Sequence, residues 1–360
     1  MEIQEHKIVV ITSRADFGGG PYHVDQLING LQNNFKMYVA CPDDYPYYFN
    51  WRKSFRIIKI KHRSINIVSI YRLYKFIKTN EIKIKHTHGR GAFIYGLIPK
   101  LAIRKIKIIH TFHGIDYTGS FVRILLLKFF DRLIQKNIVD HFINVSKSEN
   151  RLANKTRIIN NNVSIIYNGV SKKKFLNSDI LHNTKYFDIA TISRFDYSKN
   201  MAKAFNIAIN VIKKNSNIRF VWIGDGPDKE RLEFKASQYK DNFFFTGFLD
   251  DPVEKLKECK LYFSTSRFEG LPYSLIESSA LGIPIVASNV RGNNEVVRDG
   301  LNGYLFDSDD QAVSMIIKLY DDSHLYEYMA QNAKSIFLEY FTVDNMLSET
   351  AKVYHKILTK

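Results

Sequence analysis

Phe268-Glu-Gly-Leu-Pro-Tyr-Ser-Leu-Ile-Glu277-Ser-Ser-Ala-Leu-Gly-Ile-Pro-Ile-Val-Ala-Ser288 passes from a turn into a helix and out into a strand. The apolar run 261–264 before it predicts a buried strand, and 283–287 predicts the next one. Between them Gly270 marks a turn, and Pro272 suits the first turn of a helix over 272–281. Backbone N–H groups at a helix start are available to an anion, which makes the loop at Gly270, Leu271 and Pro272 a candidate anion site. Glu269 stands just before the helix and Glu277 one to two turns into it. Alone, this pair also reads as one helix-terminal acid favoured by the dipole and one solvated acid.

The same alternation extends in both directions. Segments 7–12, 37–40, 82–86, 106–110 and 141–145 predict strands, separated by helical patterns at 22–33, 69–79, 91–103 and 121–137. The pattern then restarts, with strands at 187–192, 218–223, 243–245, 261–264 and 283–287 and helices at 200–213, 228–240 and 272–281. Short β-branched runs alternating with helices predict the α/β class and parallel, doubly wound sheets. The Asn-, Ser- and Lys-rich segment 168–185 is the expected linker. The expected domains are therefore 1–168 and 186–340, with a terminal helical segment 341–360 that is a candidate to pack back on the first domain. Two facing domains of this kind leave a cleft at the carboxyl ends of their strands, where ligands bind.

Composition narrows the function classes. The 360 residues, 45% hydrophobic and 24% charged, suit two globular domains. Two distant cysteines, Cys41 and Cys259, form neither a metal nor a disulfide pattern and fit a reducing cytoplasm. The N-terminus carries acids where a leader is basic, and no run of about 18 apolar residues is present to span a bilayer. Residues 1–180 hold 30 Lys and Arg against 12 Asp and Glu, whereas 181–360 hold 22 against 24. The first half thus faces an anionic partner, unless a lysine-rich composition bias accounts for it. Within it, 121–134 is apolar with Arg123, Lys128 and Arg132 interspersed, and reads either as an interfacial helix or as one buried on the sheet. Segment 52–63 adds further basic residues.

Further motifs follow predicted strands. Arg194 and Lys199, five residues apart on one loop, could straddle a diphosphate or simply be solvated. Gly224-Asp-Gly226-Pro allows a tight turn but lacks the third glycine of a dinucleotide fingerprint. Gly18, Gly19 and Gly20 precede a helix and would let backbone amides approach an anion. His86-Thr-His88 and His110-Thr-Phe-His113 end predicted strands, but no Cys or carboxylate cluster completes a zinc site. Asp307-Ser-Asp309 reads formally as an Asp-x-Asp motif, away from these loops.

The 268–288 run resembles the E-x7-E signature of retaining glycosyltransferases of the GT-B fold, family 4, in both glutamates, the Gly-Leu-Pro and the continuation to Ser288. The resemblance is tight over 187–306 and loose over the whole chain. It implies two facing Rossmann-like domains, with acceptor binding in the first and the nucleotide sugar in the second. It assigns Glu269 to the transferred sugar, Glu277 to the ribose, and Arg194 and Lys199 to the donor diphosphate. Gly18, Gly19 and Gly20 fall near the donor phosphates, Gly224, Gly226 and Phe248 near the nucleoside, His113 on an outer sugar hydroxyl, and His88 on the acceptor side. His86 and His110 remain structural. The implied enzyme moves a hexose or N-acetylhexosamine from a UDP-sugar, favoured over a GDP-sugar, without a metal or other cofactor. Its acceptor would be lipid-linked or a glycan in cell-surface polysaccharide assembly. With the basic half, this predicts a cytoplasmic enzyme, peripheral on an anionic inner membrane face. A UDP-sugar epimerase of similar shape is a rival that the E-x7-E run opposes. A nucleic-acid-binding protein is another, lacking aromatic platforms or a reading module.

Overall fold

β-Branched residues fill the first strand, and their alternation sends side chains to both faces of a sheet. Ile8 and Val10 pack against Val24, Leu27 and Ile28, while Val9 and Ile11 pack against Leu73, Ala92 and Tyr95 on the other side. In the computed structural model, residues 6–103, 105–115, 117, 119–176 and 187–359 are described. The expected linker 168–185 lies outside them from position 177 onward, as do the first five residues of the N-terminal segment.

The chain forms two compact units, Met1–Asn168 with Val343–Lys360, and Gly169–Thr342. The first holds β1 (Lys7–Thr12), β2 (Lys36–Cys41), β3 (Arg56–Lys59), β4 (Ile84–His88), β5 (Lys107–Phe112), β6 (His141–Asn144) and β7 (Val163–Ile165). They form one parallel sheet in the order β3-β2-β1-β4-β5-β6-β7. The second unit holds β8 (Phe187–Ile192), β9 (Phe220–Ile223), β10 (Phe243–Gly247), β11 (Cys259–Ser264), β12 (Ile285–Ser288) and β13 (Gly303–Phe306). Their order, again parallel, is β10-β9-β8-β11-β12-β13. In each sheet the strand order reverses at the first strand, so the switch points lie at β1/β4 and β8/β11. The loops leaving those strands are where ligands of such sheets bind, and they carry the glycine run, Arg194, Lys199 and Glu269.

Several boundaries differ from the sequence expectation for one reason. Segments 82–86 and 106–110 follow apolar runs, whereas pairing continues to His88 and Phe112. A sheet covered on both faces can carry polar residues when each finds a partner: His86 bonds Tyr354 and Thr111 (both 2.7 Å). β3 lies inside the basic segment 52–63, where Arg56 and Lys59 face solvent and Ile58 is buried. Asp307-Ser-Asp309 has a structural cause. Ser308 caps the helix Asp309–Asp321 in a capping box with Gln311, and Asp309 pairs with Lys203.

The helix expected over 121–137 is divided into an α-helix (Phe121–Phe129), a π-helical turn (Phe130–Gln135) and a short α-helical end (Lys136–Ile138). The π turn contains Asp131, fully buried and gripped by Arg90. Burial of the first part against the sheet is overturned, because Phe121, Val122, Leu125, Leu126 and Phe129 are exposed. The helix Val343–Leu358 belongs to the first unit. It packs along the helix Gly19–Leu31, where a Cβ at Gly30 would come within 2.2 Å of Leu347.

Candidate functional site

In the second unit, two loops at the β8/β11 switch point are stitched together. Asp196 orders the first, accepting from the N–H groups of Ser198 (3.0 Å) and Lys199 (3.3 Å). Thr265 Oγ1 donates to the carbonyls of Lys199 (3.1 Å) and Asn200 (3.0 Å), and the Arg267 N–H donates to Ser198 O (2.8 Å). This brings Lys199 and Glu269 into an ion pair, and Ser266 Oγ donates to the same Glu269 oxygen (2.7 Å). Arg194 is exposed on the loop and pairs with Asp196 at 3.0 Å. The two cations are therefore on one loop, each facing a carboxylate.

The glycines have steric causes. Gly224 and Gly226 have φ of +136° and +151°, and a Cβ would come within 1.9 Å of Ser193 O and 2.6 Å of Phe195 O, respectively. Only bare backbone lets this turn lie against the Arg194 loop, which it also bonds through Asp225 O and the Asp228 N–H. Phe248, half exposed, follows the end of β10.

Glu277 lies on the helix Tyr273–Ala280, whose N-cap is Pro272, one residue outside the helix expected to begin there. That end has no side-chain cap, so the amides beyond Gly270 and Leu271 receive none from the cap residue. Part of Glu277 reaches solvent, yet among the described residues its carboxylate has no hydrogen-bond partner. Dense protein around it removes water and pushes its pKa up to about 7, against a smaller opposing effect of Lys174. Both Glu269 and Glu277 act on the buried Tyr262 phenol, whose pKa is raised chiefly by burial. Tyr262 Oη donates to Ile192 O (2.9 Å), tying β11 to the end of β8.

In the first unit, three segments converge on histidines. His88 ends β4, His113 follows β5, and His23 lies on the glycine-led helix Gly19–Leu31. His88 Nδ1 is 2.9 Å from His113 Nε2, and the His23 and His113 rings are 4.8 Å apart. Gly20 lies against His113, and Gly18 is the N-cap, without a side-chain cap, of the helix that begins at Gly19. His23 Nδ1 donates to Asn168 Oδ1 (3.0 Å). Burial lowers the pKa of His23 to about 4, and those of His88 and His113 well below the usual range, so all three are neutral near pH 7. Ligand nitrogens of these three lie within 4.8 Å of one another, as do the ligand atoms of Asp16, Asp44 and His62. In the latter group Asp16 is paired with Arg14, and Asp44 accepts from the Ala15 N–H (3.0 Å) as well as facing His62.

Sequence reasoning missed the supports. Glu149, buried, accepts from the N–H groups of Gly114 (2.7 Å), Ile115 (3.0 Å) and Val145 (3.0 Å), holding the His113 loop. Its signal was available, since Ser146-Lys-Ser-Glu149 is a capping-box spacing, and Ser146 caps that helix. Gly292 packs its bare Cα on Glu269, and Arg291 Nε donates to Glu269 O (3.3 Å). His23 carried no signal, because a histidine within a helical pattern reads as an ordinary core residue. Of the two histidine pairs, one member each reaches the cluster. His110 instead bonds Thr87 (2.8 Å).

Residues 172–336 match the family Glycosyl transferases group 1, and residues 17–174 match Glycosyltransferase Family 4. The chain is similar to the UDP-Gal:alpha-D-GlcNAc-diphosphoundecaprenol alpha-1,3-galactosyltransferase of Escherichia coli, 23% identical over 81% of each chain. It is also similar to an uncharacterised glycosyltransferase of Methanocaldococcus jannaschii, 27% identical over 94% of this chain and 95% of that one. Its fold matches that of Anabaena HepE, solved with UDP and glucose, at a TM-score of 0.81 and 16% identity over 98% of this chain and all of the other.

Proposed function

From the premise that this chain belongs to the GT-B glycosyltransferases of family 4, we propose that it moves a hexose or N-acetylhexosamine from a UDP-sugar to a lipid-linked or glycan acceptor. The reaction proceeds with retention, in cell-surface polysaccharide assembly. The observation that carries this reading is the Lys199–Glu269–Ser266 group at the β8/β11 switch point, with Arg194 on the same loop. A sugar nucleotide presents an anionic diphosphate and a polyol, and this group offers a cation and a carboxylate side by side. Similarity to an enzyme named for UDP-Gal, and to a structure solved with UDP, supports uridine over guanosine.

In the reaction, the bond between the anomeric carbon and the diphosphate breaks and its electrons stay on the leaving oxygen. The acceptor hydroxyl bonds to the carbon on the face that the diphosphate leaves, and its proton passes to the leaving diphosphate oxygen. Arg194, Lys199 and the amides near Leu271 stabilise the growing negative charge, and Glu269 binds the transferred sugar. Glu277 takes the ribose hydroxyls. In the first unit, His113 holds an outer sugar hydroxyl and His88 serves the acceptor. Fixed side-chain cations make a metal unnecessary in this scheme.

The test is nucleotide release from a panel of UDP- and GDP-sugars in chelator-containing buffer. Turnover should occur with a UDP-sugar, and Lys199→Ala should lower kcat about 10²–10³-fold. Equal turnover by the variant overturns the reading, and so does stabilisation by oligonucleotides but not by nucleotide sugars.

A further inference from the structure

Five large apolar side chains of the helix Phe121–Phe129 face solvent: Phe121 (80% exposed), Val122 (64%), Leu125 (58%), Leu126 (63%) and Phe129 (58%). At about 100° per residue they share one arc of roughly 140°. Arg123 and Lys128, both exposed, lie on either side of that arc, and Arg132 is exposed beyond it. Single exposed apolar residues are ordinary, but a contiguous patch marks a surface that something else covers.

The helix is held firmly in this presentation. At its start the Ser120 side chain accepts from the Arg123 N–H. At its far end Asp131, with no exposed surface, accepts from Arg90 Nη2 (2.7 Å) and Nε (2.9 Å) and from the Tyr117 hydroxyl (2.9 Å). Lys128 Nζ sits 5.5 Å from the Tyr117 ring centroid. The polar anchor points into the unit and the apolar face points out.

A second helix repeats the arrangement. Ile67–Thr79 exposes Ile67, Val68 and Tyr71, together with Arg72 and Lys75. Its buried side shares a core with Ala92 and Tyr95, while Phe93, on the same helix Gly89–Ala102, shares a core with Phe130 and Ile134. The helix Ile67–Thr79 and the π turn that continues Phe121–Phe129 thus pack on one face of the seven-stranded sheet.

We propose that the Phe121–Phe129 face docks on an anionic phospholipid bilayer, its apolar arc entering the headgroup layer and its cations meeting lipid phosphates. Nine residues are too few to span a bilayer, but interfacial helices lie flat at this depth. The charge selects the occupant. Residues 1–180 hold 30 Lys and Arg against 12 Asp and Glu, so a second copy would bring like charges together, and nucleic acid has no use for an aliphatic arc. The docking does not depend on which donor the second unit binds.

The whole chain is centrifuged with vesicles of phosphatidylglycerol and phosphatidylcholine, and with vesicles of phosphatidylcholine alone. Binding to the anionic vesicles is expected at low salt, weakening as salt is raised. Leu125→Glu with Leu126→Glu should weaken it about tenfold or more, and Arg123→Glu with Lys128→Glu should erase the preference for anionic lipid. Leu125 and Leu126 are exposed and take no part in the Asp131 anchor, so in their double variant the melting curve and the stabilisation by UDP-sugar should stay as in the parent. The proposal is overturned by absence of binding to anionic vesicles at low salt, or by leucine variants that bind as the parent does. It is equally overturned if ultracentrifugation shows a dimer that those variants abolish, or if the same variants lose RNA instead of lipid.

Discussion

Glu269 and Glu277 are the same side chain eight positions apart, and their surroundings give them different chemistry. Glu269 is neutralised by Lys199 and bonded by Ser266, so a ligand that engages either partner must rearrange the pair. Among the described residues Glu277 has no such partner, and desolvation raises its pKa from 4.5 to about 7. If it accepts from ribose hydroxyls as a carboxylate, UDP affinity should rise as pH increases through about 7. Calorimetric titration at several pH values checks this, with Glu277→Gln expected to flatten the dependence. The stability effect has the opposite sense. Between 4.5 and about 7 the folded chain holds a proton that the unfolded chain has lost, so this residue's contribution declines as pH rises across that window.

At the scale of elements, the His113 loop after β5 and the Arg194 loop at the β8/β11 switch point depend on contacts that motif patterns do not contain. The helix Lys147–Lys155 begins with Ser146 as cap, and its third residue, Glu149, reaches across to the His113 loop. Removing it would leave the Gly114, Ile115 and Val145 N–H groups without their acceptor. Glu149→Ala should therefore cost about 3 kcal/mol or more, read by denaturant unfolding, with Glu149→Gln recovering part of it. The Gly224 turn is the counterpart in the second unit, pressed on the Arg194 loop where a side chain cannot fit. That arrangement gives the Gly-x-Gly-Pro spacing a steric reason that stands whatever the turn binds. The helices themselves were legible where apolar periodicity was strong, as over 201–214. The π turn at Phe130–Gln135 was not, because a buried Asp131 with a distant arginine leaves no trace in local periodicity.

Across the whole molecule, the chain ends by returning to the unit in which it began. Met346, Val353, Tyr354 and Ile357 enter the core of the first unit, and Tyr354 bonds His86 across 268 positions. Tyr354→Phe should leave a buried imidazole nitrogen unpaired at a cost of about 1–3 kcal/mol. Hydrogen exchange should then speed up in the helices 19–31 and 343–358, with little change in β8–β13. The charge asymmetry also belongs to this scale, since it follows from where the lysines and arginines fall in the chain. By itself, the sequence determined the two parallel sheets, all of their strands but β3, β7 and β13, and the loops that carry Gly18, Arg194 and Glu269. Those follow from local periodicity and turn chemistry, which neighbouring residues specify together. Only the tertiary structure decided that Lys199 meets Glu269, that His23 joins His88 and His113, and that the 121–129 face lies open. Each of these depends on sheet order and packing between residues tens to hundreds of positions apart, and a one-dimensional pattern does not encode such pairings.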